Sequence, residues 1–196
     1  VVVGYDHMFG RDRTAGIEDL VQMGQKYNFS VSAVQQYRVD GVVVSSTLVR
    51  NVIAEGDVER AARLLGYTFT LKGSVVHGDG RGRTIGFPTA NVRPITESKI
   101  VPGSGVYFVG ILLRGRQLFG MMNIGVRPTV QSGGCVSLEV HIFGLTEDIY
   151  GESVEISFLR KLREEQKFAS LEHLTQQLNI DRETSLRFIA EFEKRQ

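Results

Sequence analysis

From Tyr67 to Leu159 the chain repeats one kind of segment. TFTLKGSVV, GVYFVGILL, QLFGMMNIG, VSLEVHIF and SVEISFL are short, apolar or alternating runs with turn-forming glycines between them and no helical stretch among them. Period-two patterning of this kind specifies strands. Strands joined without a crossover of a dozen or more residues pair antiparallel, and a succession of them closes into a small barrel or stacks as a sandwich. In VSLEVHIF the period separates Val136, Leu138, Val140 and Ile142 on one face from Ser137, Glu139 and His141 on the other.

Residues 1–66 follow another rule. VVV is followed by a helical stretch carrying Ile17, Leu20 and Val21, then the β-rich SVSAVQQY, then GVVV running into SSTLVRNVIAEG. Alternation of strand and helix predicts an α/β unit with a parallel sheet. One helix is expected from Ser46 to Glu55, stopped by Gly56. A second runs from Asp57 as N-cap to Leu65, with Val58, Ala61, Ala62 and Leu65 on its apolar face and Gly66 ending it. The boundary between the two architectures is placed at Gly66, giving units 1–66 and 67–196. After Arg163 helix returns: Ser170 opens one short segment, and Asp181 caps another that carries Leu186, Ile189 and Ala190. The chain starts inside an apparent strand, VVVGYDHMFG, without a methionine, and is therefore expected to be part of a longer protein.

Composition narrows the function. Lys and Arg number 23 against 22 Asp and Glu, a formal charge of +1, so no overall field draws the chain to nucleic acid or an anionic membrane surface. Neither is an expected partner. No apolar run approaches the roughly 20 residues of a membrane span, and no signal-like segment is present. A single cysteine, Cys135, rules out an internal disulfide framework and points to the reducing cytoplasm. No feature of the sequence specifies an oligomeric state.

Three stretches carry candidate chemistry. In DGRGRTIGFPTAN, from Asp79 to Asn91, a backbone bent at Gly80, Gly82 and Gly86 can turn several N–H groups into one concavity, which suits a di- or triphosphate. A glycine-rich connection between strands reads the same way, and without GxxxxGK[ST] the segment is not a P-loop. Thr89 and Asn91, two apart in an extended strand, lie on one face. Their hydroxyl and carboxamide oxygens can share a Mg²⁺ that keeps most of its waters, or simply bond across strands. Glu139, on the polar face of its strand, is either solvated or, if that face opens onto the glycine segment, a general base for a hydroxyl nucleophile. In VVVSSTLVR a buried strand leads into Ser45, Ser46 and Thr47 at a helix N-terminus, with Arg50 one turn on; the arrangement is an anion site or a plain serine N-cap.

Taken together, GYDHMFG, SSTLVR, GRGRTIGFPTAN, NIGVRPT, LEVHIF and LREEQKF occur in an order that resembles the bacterial bifunctional riboflavin kinase/FAD synthetase family over nearly the whole chain. The resemblance implies an α/β plus β fold: a partial Rossmann-like nucleotidyltransferase module, then a six-stranded antiparallel riboflavin-kinase barrel with C-terminal helices. Residues 1–66 would be the C-terminal part of the FMN adenylyltransferase module and 67–196 the kinase module. It further implies Thr89 and Asn91 as Mg²⁺ and phosphate ligands and Glu139 as catalytic base. Gly80, Gly82 and Gly86 would cover the ATP phosphates, and Arg127 and Arg163 are candidates for the flavin side. The substrates implied are riboflavin and ATP, the products FMN and ADP. Ser45, Ser46, Thr47 and Arg50 match the adenylyltransferase ATP segment. None of His7, His77, His141 and His173 stands in that module's HxGH pattern, so FAD formation is expected of the intact protein and not of these residues alone. A flavin-binding barrel without turnover is the competing expectation.

Overall fold

The computed structural model describes residues 1–78, 81–96, 98–127 and 135–194. These fall into two compact units, residues 1–46 and 47–196.

In the first unit, β1 (Val2–Gly4) and β2 (Ser32–Val34) pair in parallel on either side of α1 (Ile17–Tyr27), the expected strand–helix–strand alternation. Asn28, left-handed at φ 58°, ends α1. A short antiparallel ladder of β3 (Arg38–Val39) and β4 (Val42–Val43) follows.

The second unit begins with α2 (Ser46–Ala54) and α3 (Val58–Leu65). Asp57 caps α3, its carboxylate accepting the Arg60 N–H at 3.0 Å, and Gly66 closes it in the left-handed conformation. Both helices pack with the barrel, and the compact unit that holds them begins at Thr47. The reason is burial: Val52, Ile53, Val58, Ala61 and Leu64 are all removed from solvent, and the Gly103 N–H bonds the Ile53 carbonyl at 3.1 Å. A change of pattern from helix to strand is not a change of hydrophobic core.

The barrel itself is built from β5 (Thr70–Val76), β6 (Ala90–Pro94), β7 (Gly105–Leu113), β8 (Arg116–Arg127), β9 (Cys135–Ile142) and β10 (Ser153–Arg163). Every pairing is antiparallel, and the order β10-β5-β6-β9-β8-β7 closes on itself, which leaves no open sheet edge. Its interior is filled by Leu71, Ile111, Met122, Ile124, Ile156 and Phe158, each at most 2% exposed. β7 is buried on both faces except at Leu112, because its outward residues are covered as well. Phe108 stacks on Phe119 at 5.6 Å and meets Phe188 at 5.7 Å.

Phe188 belongs to α5 (Leu171–Glu193), one continuous helix of 23 residues capped by Ser170, whose hydroxyl accepts the His173 N–H. The two C-terminal helical segments expected from the sequence are thus a single helix. Asp181 does not cap a second one. It lies mid-helix, 4% exposed, with its carboxylate bonded to Arg163 of β10, so nothing interrupts the helical backbone there.

Candidate active site

A cavity of about 680 Å³ opens against the barrel. One wall is the segment between β5 and β6, with Gly82, Ile85, Phe87 and Thr89. A second is the outward face of β8 and β9, with Met121, Asn123, Glu139 and His141. The third comes from the end of β10 and from α5, with Arg163, Phe168, Leu171, Leu174 and Leu178. Phe87, Val106 and Met121 are buried together beneath it, with Ile85 and Leu178 packed against them. The lining is apolar and aromatic over most of its extent, with Thr89, Asn123 and Glu139 among its polar groups on the barrel side and Arg163, Glu165 and Gln166 on the other. That composition suits a flat organic ring bearing a polar tail.

The segment around Gly82 is folded for close approach. Arg81–Thr84 forms a single helical turn, α4, and the Gly82 carbonyl accepts from Phe87 N–H at 2.9 Å. A Cβ on Gly82 would collide with the Phe87 carbonyl oxygen and stand 3.3 Å from Thr89 Oγ1, so no larger residue fits without moving backbone. Gly86 takes φ +79°, the left-handed turn that reverses the chain into Phe87-Pro88-Thr89. Gly82 lines the cavity. Gly80 lies outside the described residues, and of Arg127 only the backbone, at the end of β8, is described.

Thr89 sits immediately before β6 and lines two cavities. The second is smaller, about 160 Å³, and is bounded by Arg83, Ala90, Ile142, Glu147, Asp148 and Tyr150 among others. Asn91 is half-buried on β6 with its carboxamide packed on Gly78, where an added Cβ would collide with it. It lines neither cavity, but it stands directly opposite Glu139 in the β6–β9 ladder, and Asn123 stands opposite Glu139 on the other side, in the β8–β9 ladder. Glu139 is thus flanked by two carboxamides and faces the larger cavity. Thr89, Asn91 and Glu139, given site roles by the family resemblance, lie close together: Thr89 and Glu139 line one cavity and Asn91 pairs with Glu139 across the ladder.

Arg163 also lines the larger cavity, and its guanidinium is engaged. Its Nε donates to both Asp181 oxygens at 3.1 and 3.0 Å, Nη2 lies 2.9 Å from Oδ2, and Nη1 donates to the Glu164 carbonyl at 3.0 Å. Ser45, Ser46, Thr47 and Arg50 are all exposed and straddle the division between the two compact units, with Ser46 opening α2.

His141, read from the sequence as a surface or hydrogen-bonded histidine, is hydrogen-bonded. It shares the Glu139 face of β9 and its Nδ1 lies 2.8 Å from the Pro88 carbonyl. A carbonyl only accepts, so Nδ1 carries the hydrogen. Phe87 and Phe143 pack edge-on to the ring at 5.3 and 5.7 Å. Burial, and secondarily the positive charge of Arg182 on α5, hold the imidazole below its ordinary pKa of 6.5, against the opposing pull of the Pro88 bond. An unfolded chain protonates this histidine near pH 6.5 while the folded one does not. Its contribution to stability is therefore whole above that pH and declines as pH falls from there toward the lowered folded value. We expect the thermal midpoint to drop between about pH 7 and pH 5, and to drop less in His141→Asn, whose Nδ2 keeps the bond to Pro88. Equal slopes for the two proteins would show that His141 contributes nothing to the decline.

Known proteins agree with this architecture. The family profile described as Flavokinase, riboflavin kinase, matches residues 65–189, and that described as FAD synthetase matches residues 1–48. A bifunctional riboflavin kinase/FMN adenylyltransferase from Pseudomonas fluorescens is 44% identical over 91% of this chain and 57% of its own length. That of Escherichia coli K12 is 42% identical over 96% and 59%. The chain therefore spans somewhat over half the length of these relatives. A crystal structure described as a macrolide-efflux protein from Streptococcus pneumoniae superposes with a TM-score of 0.83 at 36% identity, covering 93% of this chain and 58% of that one. Among the described residues no helix is long and apolar enough to cross a membrane. On the profile match and the two identities, the chain belongs to the riboflavin kinase family.

Proposed function

We propose that this chain transfers the γ-phosphoryl group of ATP to the 5′-hydroxyl of riboflavin, forming FMN and ADP. The observation that carries the proposal is Thr89, which borders both the large apolar cavity and the smaller one of mixed lining while Glu139 faces the first. Two substrates held on either side of Thr89 would meet there. The isoalloxazine ring is assigned to the large cavity, between Phe87 and Met121 on the barrel side and Phe168, Leu174 and Leu178 on the other. Its ribityl tail then leads to Glu139. The nucleotide is assigned to the smaller cavity, with its phosphates against Arg83 and Thr89.

In this reading Glu139 accepts the proton of the 5′-hydroxyl as that oxygen bonds to the γ-phosphorus and the bond to the β-bridging oxygen breaks. Asn91 and Asn123, on either side of Glu139, hold its strand position. Thr89 and Asn91 would hold Mg²⁺. Their donors are hard oxygens, and among the described residues no group of three or more His, Cys, Asp or Glu side chains could cage a metal, so protein ligands are few, as in sites where Mg²⁺ is bound largely through phosphate and water. When bound, the ion supplies neutralisation of phosphate charge. Gly80, Gly82 and Gly86 would cover the phosphates.

We further assign residues 1–66 to the C-terminal part of an FMN adenylyltransferase module, with Ser45, Ser46, Thr47 and Arg50 as its ATP segment. FAD formation is then an activity of the whole protein, and a cytoplasmic location fits both substrates. A chromatographic assay of the purified chain with riboflavin, ATP and Mg²⁺, following FMN and FAD separately, tests the proposal. FMN is the expected product. A folded protein that binds flavin yet forms no FMN would instead be a flavin-binding barrel.

A further inference from the structure

Along α5, Leu171, Leu174, Leu178, Asp181 and Ser185 follow at alternating steps of three and four, so they form one stripe of the helix. The three leucines line the large cavity, and Asp181 and Ser185 are the buried polar residues of the stripe. Ser185 turns its hydroxyl back to the Asp181 carbonyl at 2.8 Å, and Thr175, Asn179 and Thr184 likewise bond backbone of their own helix. The Asp181 carboxylate instead reaches off the helix to Arg163, the last residue of β10, and is steadied by Gln177 Nε2 at 2.9 Å.

Apolar contact is non-directional and lets a helix slide or roll along a barrel. A guanidinium gripping both oxygens of a carboxylate does not. Removing both charges from water is costly, and an apolar pair of similar size often stabilises a fold as well, so the return on such a pair is registry more than stability. With side-chain exposures of 13% for Arg163 and 4% for Asp181, the pair is sheltered enough for that argument to apply.

We propose that Asp181 is a positioning residue for flavin binding: by gripping Arg163 it fixes the height and rotation of α5, and with them the place of the Leu171, Leu174 and Leu178 wall. It touches neither the reacting atoms nor the ring. Arg163, whose nitrogens are engaged by Asp181 and the Glu164 carbonyl, acts as the strut of that wall. The proposal rests on the assignment of the large cavity to flavin.

The test compares the parent chain, Asp181→Asn and the apolar pair Arg163→Met with Asp181→Leu. Readouts are the riboflavin KM, the ATP KM and kcat for FMN formation, the equilibrium Kd for riboflavin by flavin fluorescence, and the thermal midpoint. Asp181→Asn is expected to raise the riboflavin KM and Kd roughly tenfold through misplaced apolar contacts, with the ATP KM unmoved and kcat within about twofold. The apolar pair is expected to regain the thermal midpoint without regaining the Kd, which a merely structural role would not produce. If Asp181→Asn does not fold, the apolar pair carries the test alone. A parental riboflavin Kd in either folded variant overturns the proposal. A parent that binds riboflavin but makes no FMN sinks the kinase reading only, since the Kd comparison stands without turnover.

Discussion

Glu139→Gln is expected to cut FMN formation by about 10²–10⁴-fold while the protein still folds and binds riboflavin, the range lost when a positioned general base is removed. Glutamine has the shape of glutamate and keeps a polar group of the same size opposite Asn91 and Asn123, so the alternation of β9 is preserved. What disappears is the ability to take up a proton. Because Glu139 is half-buried on the polar face while Leu138 and Val140 fill the barrel, the substitution leaves the core untouched. The measurement is a single-turnover assay of FMN with ATP in excess, beside circular dichroism and a riboflavin titration. A variant that folds, binds flavin and turns over within about tenfold of the parent would falsify the assignment of Glu139 as base. A loss confined to the riboflavin KM would make Glu139 a binding group instead.

The barrel was legible because its strands obey a strict local rule. Leu71, Val75, Leu138, Val140, Val154 and Ile156 are interior residues of segments whose apolar period is two, while closure into a six-stranded barrel, which that pattern shares with a sandwich, came only with the family resemblance. Asp57 and Gly66 bracket α3 for a similar reason: caps are local chemistry, read from a few residues. Thr89, Asn91 and Glu139 converge because β6 and β9 pair with Asn91 opposite Glu139, a register that spacing within each strand anticipates only in part.

The missing pieces are long-range. Asp181 stands before a segment carrying Leu186, Ile189 and Ala190 and has the form of an N-cap, and the choice between cap and buried partner depends on Arg163, eighteen residues earlier. The signal that would have decided it is the stripe Leu171, Leu174, Leu178, Asp181, Ser185, Phe188 and Phe192, whose period runs through Asp181 without a break. A helix capped at Asp181 would have no reason to keep that phase. The stripe also differs from the expected Leu186, Ile189 and Ala190, and Leu186 is 46% exposed. The apolar wall of the cavity was hidden by the same error, because two short helices give no continuous surface to lay over a barrel. The partner of His141 went unread since it is a backbone carbonyl, which no residue pattern advertises.

Thr89→Val should lower FMN formation by roughly 10²-fold, the cost of deleting one oxygen that stabilises transferring charge. Valine matches threonine in volume and in its preference for extended backbone, so the entry into β6 and the packing against Gly82 are preserved. The hydroxyl alone is lost. Its position on the border of both cavities means that the loss falls on the transfer between substrates, and the riboflavin Kd should stay within about threefold because the apolar lining of the large cavity is unchanged. If the hydroxyl holds Mg²⁺, the concentration of the ion giving half-maximal rate rises in the variant, and raising Mg²⁺ recovers part of the activity. If it serves only phosphate, the Mg²⁺ dependence is parental and the ATP KM rises instead. Since Asn91 stands opposite Glu139 and lines neither cavity, Asn91→Leu separates the two remaining roles. A shift in Mg²⁺ dependence like that of Thr89→Val makes the two residues joint ligands, whereas a drop in kcat at parental Mg²⁺ dependence makes Asn91 a support for Glu139.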